Sequence, residues 1–107
     1  MSFDIAEFEE ALARDTPPVG LGPALLALWH GLKGAWHEAH TIVQESEGDP
    51  ACDWVHAWLH RIEGDLANAA YWYRRAGRSA GKGSVESEGR SIAASLLADR
   101  SRSERPS

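Results

Sequence analysis

The sequence has a single cysteine, Cys52, so it cannot form an internal disulfide bond. Its first residues, MSFDIAEFEEALARD, are acidic and contain neither the basic segment nor the apolar run of a secretion signal. The longest unbroken apolar run, ALLALW at residues 24–29, is far shorter than the roughly 20 residues that span a bilayer. We therefore expect a cytoplasmic protein with no membrane span.

Basic side chains are scarce in the first part of the chain. Residues 1–66 contain 3 basic and 12 acidic side chains, whereas residues 67–107 contain 8 basic and 4 acidic ones, which gives net charges of −9 and +4. Nucleic-acid binding needs a concentrated basic surface, so a total charge of −5 argues against a nucleic-acid partner. The stretch YWYRRAGR is therefore interpreted as part of the core and not as a platform for stacking bases.

A chain of 107 residues with 43% apolar side chains has the size of one domain. Its apolar residues recur at helical spacing, and no stretch shows sustained alternation of apolar and polar residues. We predict an all-helical fold of five to six helices without a sheet. The predicted helices cover residues 5–14, 23 to about 33, 35–45, 50 to about 63, a segment that begins after 65, and a short last helix around Ile92, Leu96 and Leu97.

Capping residues fix several of these boundaries. Asp4 and Glu7 fit a capping box before the first helix, while Asp49 and Asp65 are the expected N-caps of the fourth and fifth helices. Residues 77–90, GRSAGKGSVESEGR, are rich in Gly and Ser, which predicts a flexible segment. The domain is predicted to span residues 1–99, followed by a disordered tail at residues 100–107.

An internal repeat with a period of 30 residues aligns ALWHGLKGAWHEAHTIV with AWLHRIEGDLANAAYWY. Gly34 matches Gly64, and Ala39 matches Ala69. In each copy the glycine permits a sharp turn between antiparallel helices, and the small alanine allows the second helix to approach the first closely. The repeat predicts two similar helical hairpins.

The segment GDLANAAYWYRRA resembles the second helix of a tetratricopeptide repeat, in particular the Sel-type pattern D-x-x-x-A-x-x-W-Y-x-x-A. The matching positions are Asp65, Ala69, Trp72, Tyr73 and Ala76. The longer stretch DWVHAWLHRIEGDLANAAYWYRRAG is similar to a small bacterial family of uncharacterised function. This resemblance implies tetratricopeptide-like antiparallel helical hairpins. The period of 30 is shorter than the mid-thirties usual for such repeats, and two units are fewer than the three that solenoids generally need.

All the histidines of the chain fall in the two predicted hairpins; they are His30, His37, His40, His56 and His60. On the predicted fourth helix, Asp53, His56 and His60 share a stripe that we place away from the core face. Such a stripe can supply metal ligands, and His37 and His40 can add to it if the third helix faces the fourth. Structural histidines, or a proton-transfer or pH-sensing role, are the alternatives.

Cys52 and His56 are one helical turn apart, as a thiolate and imidazole pair would be. A cysteine in the first turn of a helix favours the thiolate, whereas a lone early cysteine is also a common small packing residue. The sequence leaves both interpretations open.

From these observations we predict a noncatalytic module that binds a protein or peptide and needs no cofactor. The partner would lie in a groove between the first helices of the two hairpins, lined by His30, Asp53, His56 and His60. The alternative is a small metal-binding protein or enzyme that uses the histidine stripe, with Asp53, His56, His60, His37 and His40 as candidate ligands. Two repeat units leave apolar end faces, which predicts a homodimer.

Overall fold

The computed structural model describes the backbone of residues 3–103 and the side chains as far as residue 100. Within that range it contains six helices and no strand, which confirms the all-helical prediction. The helices are α1 (Ile5–Ala11), α2 (Pro23–Leu32), α3 (Trp36–Gln44), α4 (Pro50–Glu63), α5 (Leu66–Ala76) and α6 (Val85–Ser103). None of these helices combines the length and apolarity needed to cross a bilayer.

The predicted caps hold the starts of three helices. The carboxylate of Asp4 accepts the Glu7 N–H at 3.0 Å, and that of Asp49 accepts the Cys52 N–H at 3.0 Å. Asp65 accepts the N–H of Asn68 at 3.3 Å, at the start of α5. Because these bonds satisfy backbone donors that have no partner within the helix, they fix where each helix begins. Local sequence therefore predicted these starts correctly.

Two helical hairpins follow α1, since α2 packs against α3 and α4 packs against α5. The turns contain Gly34 and Gly64, whose φ angles of +88° and +86° lie in the left-handed region that favours glycine. Ala39 and Ala69 are both buried. Helix α3 also packs against α4, which joins the hairpins. The equivalent turns and buried alanines agree with the repeat alignment, while the tetratricopeptide-like arrangement stays a prediction.

Helix α6 is longer than predicted, because residues 85–90 of the supposedly flexible segment are helical. It packs against α1, α2 and α4, and it buries Ile92 and Leu97 in the core. The helix also extends to Ser103, so the prediction of a disordered tail is wrong for residues 100–103, and residues 104–107 lie outside the described range. The segment before α6 lacks helical structure, as its composition indicates.

Close packing accounts for Gly89, one of the glycines that led to the prediction of a flexible segment at the start of α6. A Cβ atom on Gly89 would lie 2.6 Å from the Trp58 ring and 2.9 Å from Leu32. The indole N–H of Trp58 donates to the Val85 carbonyl at 2.7 Å, which ties the first turn of α6 to α4. The glycine thus permits a close contact between helices.

A buried polar network also attaches α6 to the second hairpin. The buried Glu88 accepts a hydrogen bond from the Tyr73 hydroxyl at 2.5 Å and pairs with the Arg61 guanidinium at 2.8 Å. Arg61 also donates to the carbonyl of Gly83 in the preceding loop. A buried carboxylate with two such partners is satisfied, so this network stabilises the position of α6.

Helix α4 lies at the centre of the fold, in contact with α2, α3, α5 and α6. One side of it contributes Val55, Trp58 and Leu59 to the main core, and Ala57 packs on the other side with Ala69 and Trp72. Both sides of the helix are therefore buried, and this placement decides the environment of its histidines.

Candidate metal centre

The predicted stripe of Asp53, His56 and His60 is buried, with exposed fractions of 2%, 2% and 7%. The stripe lies apart from the face of α4 that carries Val55, Trp58 and Leu59, but it is buried as well. A periodicity argument assigns one buried face to a helix, but α4 packs against helices on several sides. The stripe consequently faces a second interior surface, between α3 and α5.

Three imidazoles meet on that surface. His56 and His60 lie one turn apart on α4, His40 reaches them from α3, and one potential ligand atom of each lies within 4.8 Å of the others. The Nε2 atoms of His40 and His56 are 3.1 Å apart. We call this group the three-imidazole site. Two of its members belong to the predicted stripe and the third to the predicted pair on the third helix.

Two tryptophans support these rings. Trp36 stacks on His40 with ring centroids 4.6 Å apart, and Trp72 stacks on His56 at 3.9 Å. The Trp36 indole N–H donates to the Leu59 carbonyl at 2.7 Å, which holds this ring against α4. The sequence places YWYRRAGR, and with it Trp72, in the core. The contact of Trp36 and Trp72 with the imidazoles depends on how α3 and α5 pack against α4.

Glu63 orients the third imidazole. Its Oε1 atom lies 2.6 Å from Nδ1 of His60, one turn earlier on α4. A carboxylate accepts hydrogen bonds, so Nδ1 of His60 is the donor in this contact, and Nε2 is the ring nitrogen left to face a ligand. Glu63 was not among the predicted site residues, although the spacing H-x-x-E on a helix is a signal that could have found it.

Burial favours the uncharged form of His56 and His40. Burial, and then the neighbouring His40, His60 and Arg75, lower the pKa of His56 to about 4. The pKa of His40 is lowered too, mainly by burial and then by His60, while Glu63 acts in the opposite direction. Both imidazoles are consequently neutral at pH 7, and the neutral form is the one that binds metal ions.

One ring nitrogen of the three-imidazole site has no hydrogen-bond partner in the described part of the chain. It is the Nδ1 atom of His56, which is buried. Buried polar nitrogens ordinarily have a hydrogen-bond partner, so the unpartnered Nδ1 is unfavourable for stability. The contacts of the ring with His40 and Trp72 hold it in this position. A chain selected for stability alone would not need a histidine at this position.

Asp53 does not join the imidazoles. One of its carboxylate oxygens accepts the N–H of Gly48 at 3.2 Å, and the other lies 3.9 Å from the Arg75 guanidinium. These contacts tie the α3–α4 loop and α5 to α4. Asp53 therefore has a structural role in this arrangement.

The two remaining histidines lie outside the three-imidazole site. His37 is exposed on α3, with its ring edge-on to Trp36, and His30 is partly buried beside Trp29. Both line a surface cleft together with Thr41. Of the five candidate metal ligands that the sequence indicates, the structure thus brings together His40, His56 and His60.

Cys52 does not form the thiolate of the alternative hypothesis. Its side chain is buried, and burial together with Asp49 raises the pKa of the thiol to about 12. The thiol stays protonated at neutral pH, because desolvation outweighs the favourable position at the start of a helix. The packing interpretation of Cys52 agrees with this environment.

Comparisons of the chain with protein-family models, curated proteins and solved structures find no match. The function therefore has to be argued from the three-imidazole site itself.

Proposed function

We propose that this protein binds a divalent transition-metal ion through His40, His56 and His60. The observation that carries the proposal is the convergence of three buried imidazoles from two helices, with one potential ligand atom of each within 4.8 Å of the others. Histidines brought together in this way are rare in a core built for stability, because each polar ring has to be desolvated.

The spacing suits a metal ion. Metal–nitrogen bonds of about 2.0–2.1 Å in a tetrahedral arrangement place neighbouring nitrogens about 3.3 Å apart. The Nε2 atoms of His40 and His56, at 3.1 Å, are already close to that separation. His60 is 7% exposed and its ring lies within 5.3 Å of the ring of His40, centroid to centroid, so small side-chain shifts complete the set.

The chemistry of the ligands selects the class of metal. Imidazole nitrogens suit zinc, copper, nickel and cobalt, whereas magnesium and calcium prefer oxygen ligands. The carboxylate of Glu63 on His60 is the kind of partner that fixes the tautomer of a metal-binding histidine and raises its basicity. Three protein ligands leave a fourth position for water or another small ligand.

Protein or peptide binding and the homodimer stay predictions. Three of the four side chains expected to line a peptide groove, Asp53, His56 and His60, are buried by the chain itself. A partner would contact them only after the helices separate. The geometry favours the metal alternative of the sequence analysis over the interaction module.

The test uses protein produced without a histidine tag, stripped of metal by a chelator and titrated with Zn²⁺, Ni²⁺ and Cu²⁺ in competition with an indicator. We expect one tightly held ion per chain. His40→Ala and His60→Ala should weaken binding by on the order of 100-fold or more, since each removes a ligand. His40 is only partly buried, so its variant is the less disruptive of the two.

His37→Ala is the matched control, because it removes an exposed histidine of the same helix that lies outside the three-imidazole site. It should bind like the unmodified protein. Circular dichroism confirms that each variant is folded. Less than about one tenth of an equivalent bound by the folded protein, or equal losses in His37→Ala and His40→Ala, would contradict the proposal.

A further inference from the structure

The three-imidazole site opens toward solvent on one side. His56 and His60 are buried, whereas His40 is partly exposed and the Glu63 side chain beside them is 40% exposed. The Glu63 carboxylate bonds to His60, and its negative charge also acts on His40. Glu63 thus lies where the edge of the site meets water.

A second carboxylate lies at the same place. Asp65 is the N-cap of α5, immediately after the turn. Its carboxylate, that of Glu63 and a ring nitrogen of His60 offer ligand atoms within 4.8 Å of one another. Asp65 is exposed. The two groups of potential ligands share His60. The three-imidazole site is largely buried and offers nitrogen ligands, whereas the second group is largely exposed and offers mainly oxygen ligands.

We propose that Glu63 and Asp65 form an acidic entrance through which a divalent cation reaches the three-imidazole site. This inference rests on the proposed metal binding, and it adds the direction from which the ion arrives and the side chains that attract it. A hydrated dication is first drawn to the carboxylates, exchanges some of its water there, and moves inward to the imidazoles. No covalent bond of the protein changes in this process.

The charge of the entrance and the ligand preference of transition metals both support movement of the ion from the carboxylates to the imidazoles. Carboxylates at the mouth of a site raise the local concentration of cations and their association rate. Carboxylate oxygens hold hydrated dications loosely, whereas imidazoles bind zinc, nickel and copper more tightly, so the ion is retained at the inner ligands. The two carboxylates together balance the charge of one dication.

Asp65→Asn is the sharpest variant for testing the entrance. Asparagine is as good an N-cap as aspartate, so the hydrogen bond to Asn68 at the start of α5 is kept while the charge is removed. Asp49→Asn is the matched control, because Asp49 is also an exposed N-cap aspartate. It lies eleven residues before His60 on α4, which corresponds to about 16 Å along the helix.

The measurement is the rate of Ni²⁺ association, followed by stopped-flow tryptophan fluorescence because Trp36 and Trp72 stack on ligand rings. At about 0.1 M salt, where charges are screened beyond about 10 Å, Asp65→Asn should bind about threefold more slowly and Asp49→Asn at the unmodified rate. At about 1 M salt the difference should disappear. The dissociation rate of Asp65→Asn should stay unchanged.

Equal association rates for Asp65→Asn and the unmodified protein at 0.1 M salt would overturn the entrance while leaving metal binding intact. An equal slowing by Asp49→Asn would also overturn it, because the effect would then come from overall charge. Failure of the unmodified protein to bind any metal is a different result, and it would remove the proposed function together with the entrance.

Discussion

Nδ1 of His60 lies 2.6 Å from Oε1 of Glu63, and this contact decides which nitrogen of the ring can face a metal ion. Removing the carboxylate frees the ring to adopt the other tautomer and to rotate. We expect Glu63→Ala to lower metal affinity by roughly 10- to 100-fold, and Glu63→Gln, which keeps an acceptor, to lower it less. Competition titrations measure both values. Glu45→Ala, which removes another exposed carboxylate, should have no such effect.

Metal should stabilise the fold, because His40 belongs to the first hairpin and His56 and His60 to the second. At a free metal concentration of 100 times Kd, the free energy of unfolding should rise by about 2.7 kcal/mol. For a chain of this size that corresponds to an increase in Tm of roughly 10 °C or more. Differential scanning calorimetry with and without Zn²⁺ measures it. An increase of the same size in His40→Ala would show that the ion binds elsewhere.

The metal-free protein should lose stability in mild acid. Burial, and then His40, His60 and Arg75, lower the pKa of His56 to about 4, from an ordinary value near 6.5 in the unfolded chain. The unfolded state therefore binds a proton in this window while the folded state does not, and the free energy of unfolding falls as the pH drops from about 6.5 toward 4. The expected contribution is on the order of 2 kcal/mol.

Urea denaturation at several pH values, on chelator-stripped protein, measures this dependence. His56→Gln removes the titrating group and should make the free energy of unfolding less dependent on pH between 6.5 and 4. The same slope in the variant and in the unmodified protein would assign the acid sensitivity to other groups.

Gly89 should not tolerate a side chain although it lies within a helix. Alanine is ordinarily preferred in helices by about 1 kcal/mol, but a Cβ at this position would lie 2.6 Å from the Trp58 ring. We expect Gly89→Ala to lower the free energy of unfolding by roughly 1–3 kcal/mol through overpacking. Chemical denaturation measures it, with the exposed Ser91→Ala of the same helix as control. Equal stability of the two variants would show that α6 shifts freely on α4.

Local sequence signals predicted the parts of the fold that depend on local physics. Asp4, Asp49 and Asp65 cap helices in the structure because an N-cap acts within three residues of itself. The start of α6 was missed, since the reason for Gly89 is the Trp58 ring on another helix. A glycine that permits close packing and a glycine in a flexible loop look the same in a sequence.

The candidate site was also predicted only in part, because some of its contacts are local and others join different helices. Spacing along the chain identified His56 and His60 as neighbours, because they lie one turn apart on one helix. Their burial, and the contacts of His40 with them and of Trp72 with His56, depend on the packing of α3 and α5 against α4. That packing is set by the whole core and has no signature in any single segment.

The position of the three-imidazole site between the hairpins has a consequence for folding. Neither hairpin alone holds more than two of the three ligands, since His40 is on α3 while His56 and His60 are on α4. Tight metal capture during refolding would therefore begin only once the two halves have docked. A metal ion that quenches the fluorescence of Trp36 and Trp72 would therefore report the time at which the hairpins dock, separately from the formation of the individual helices.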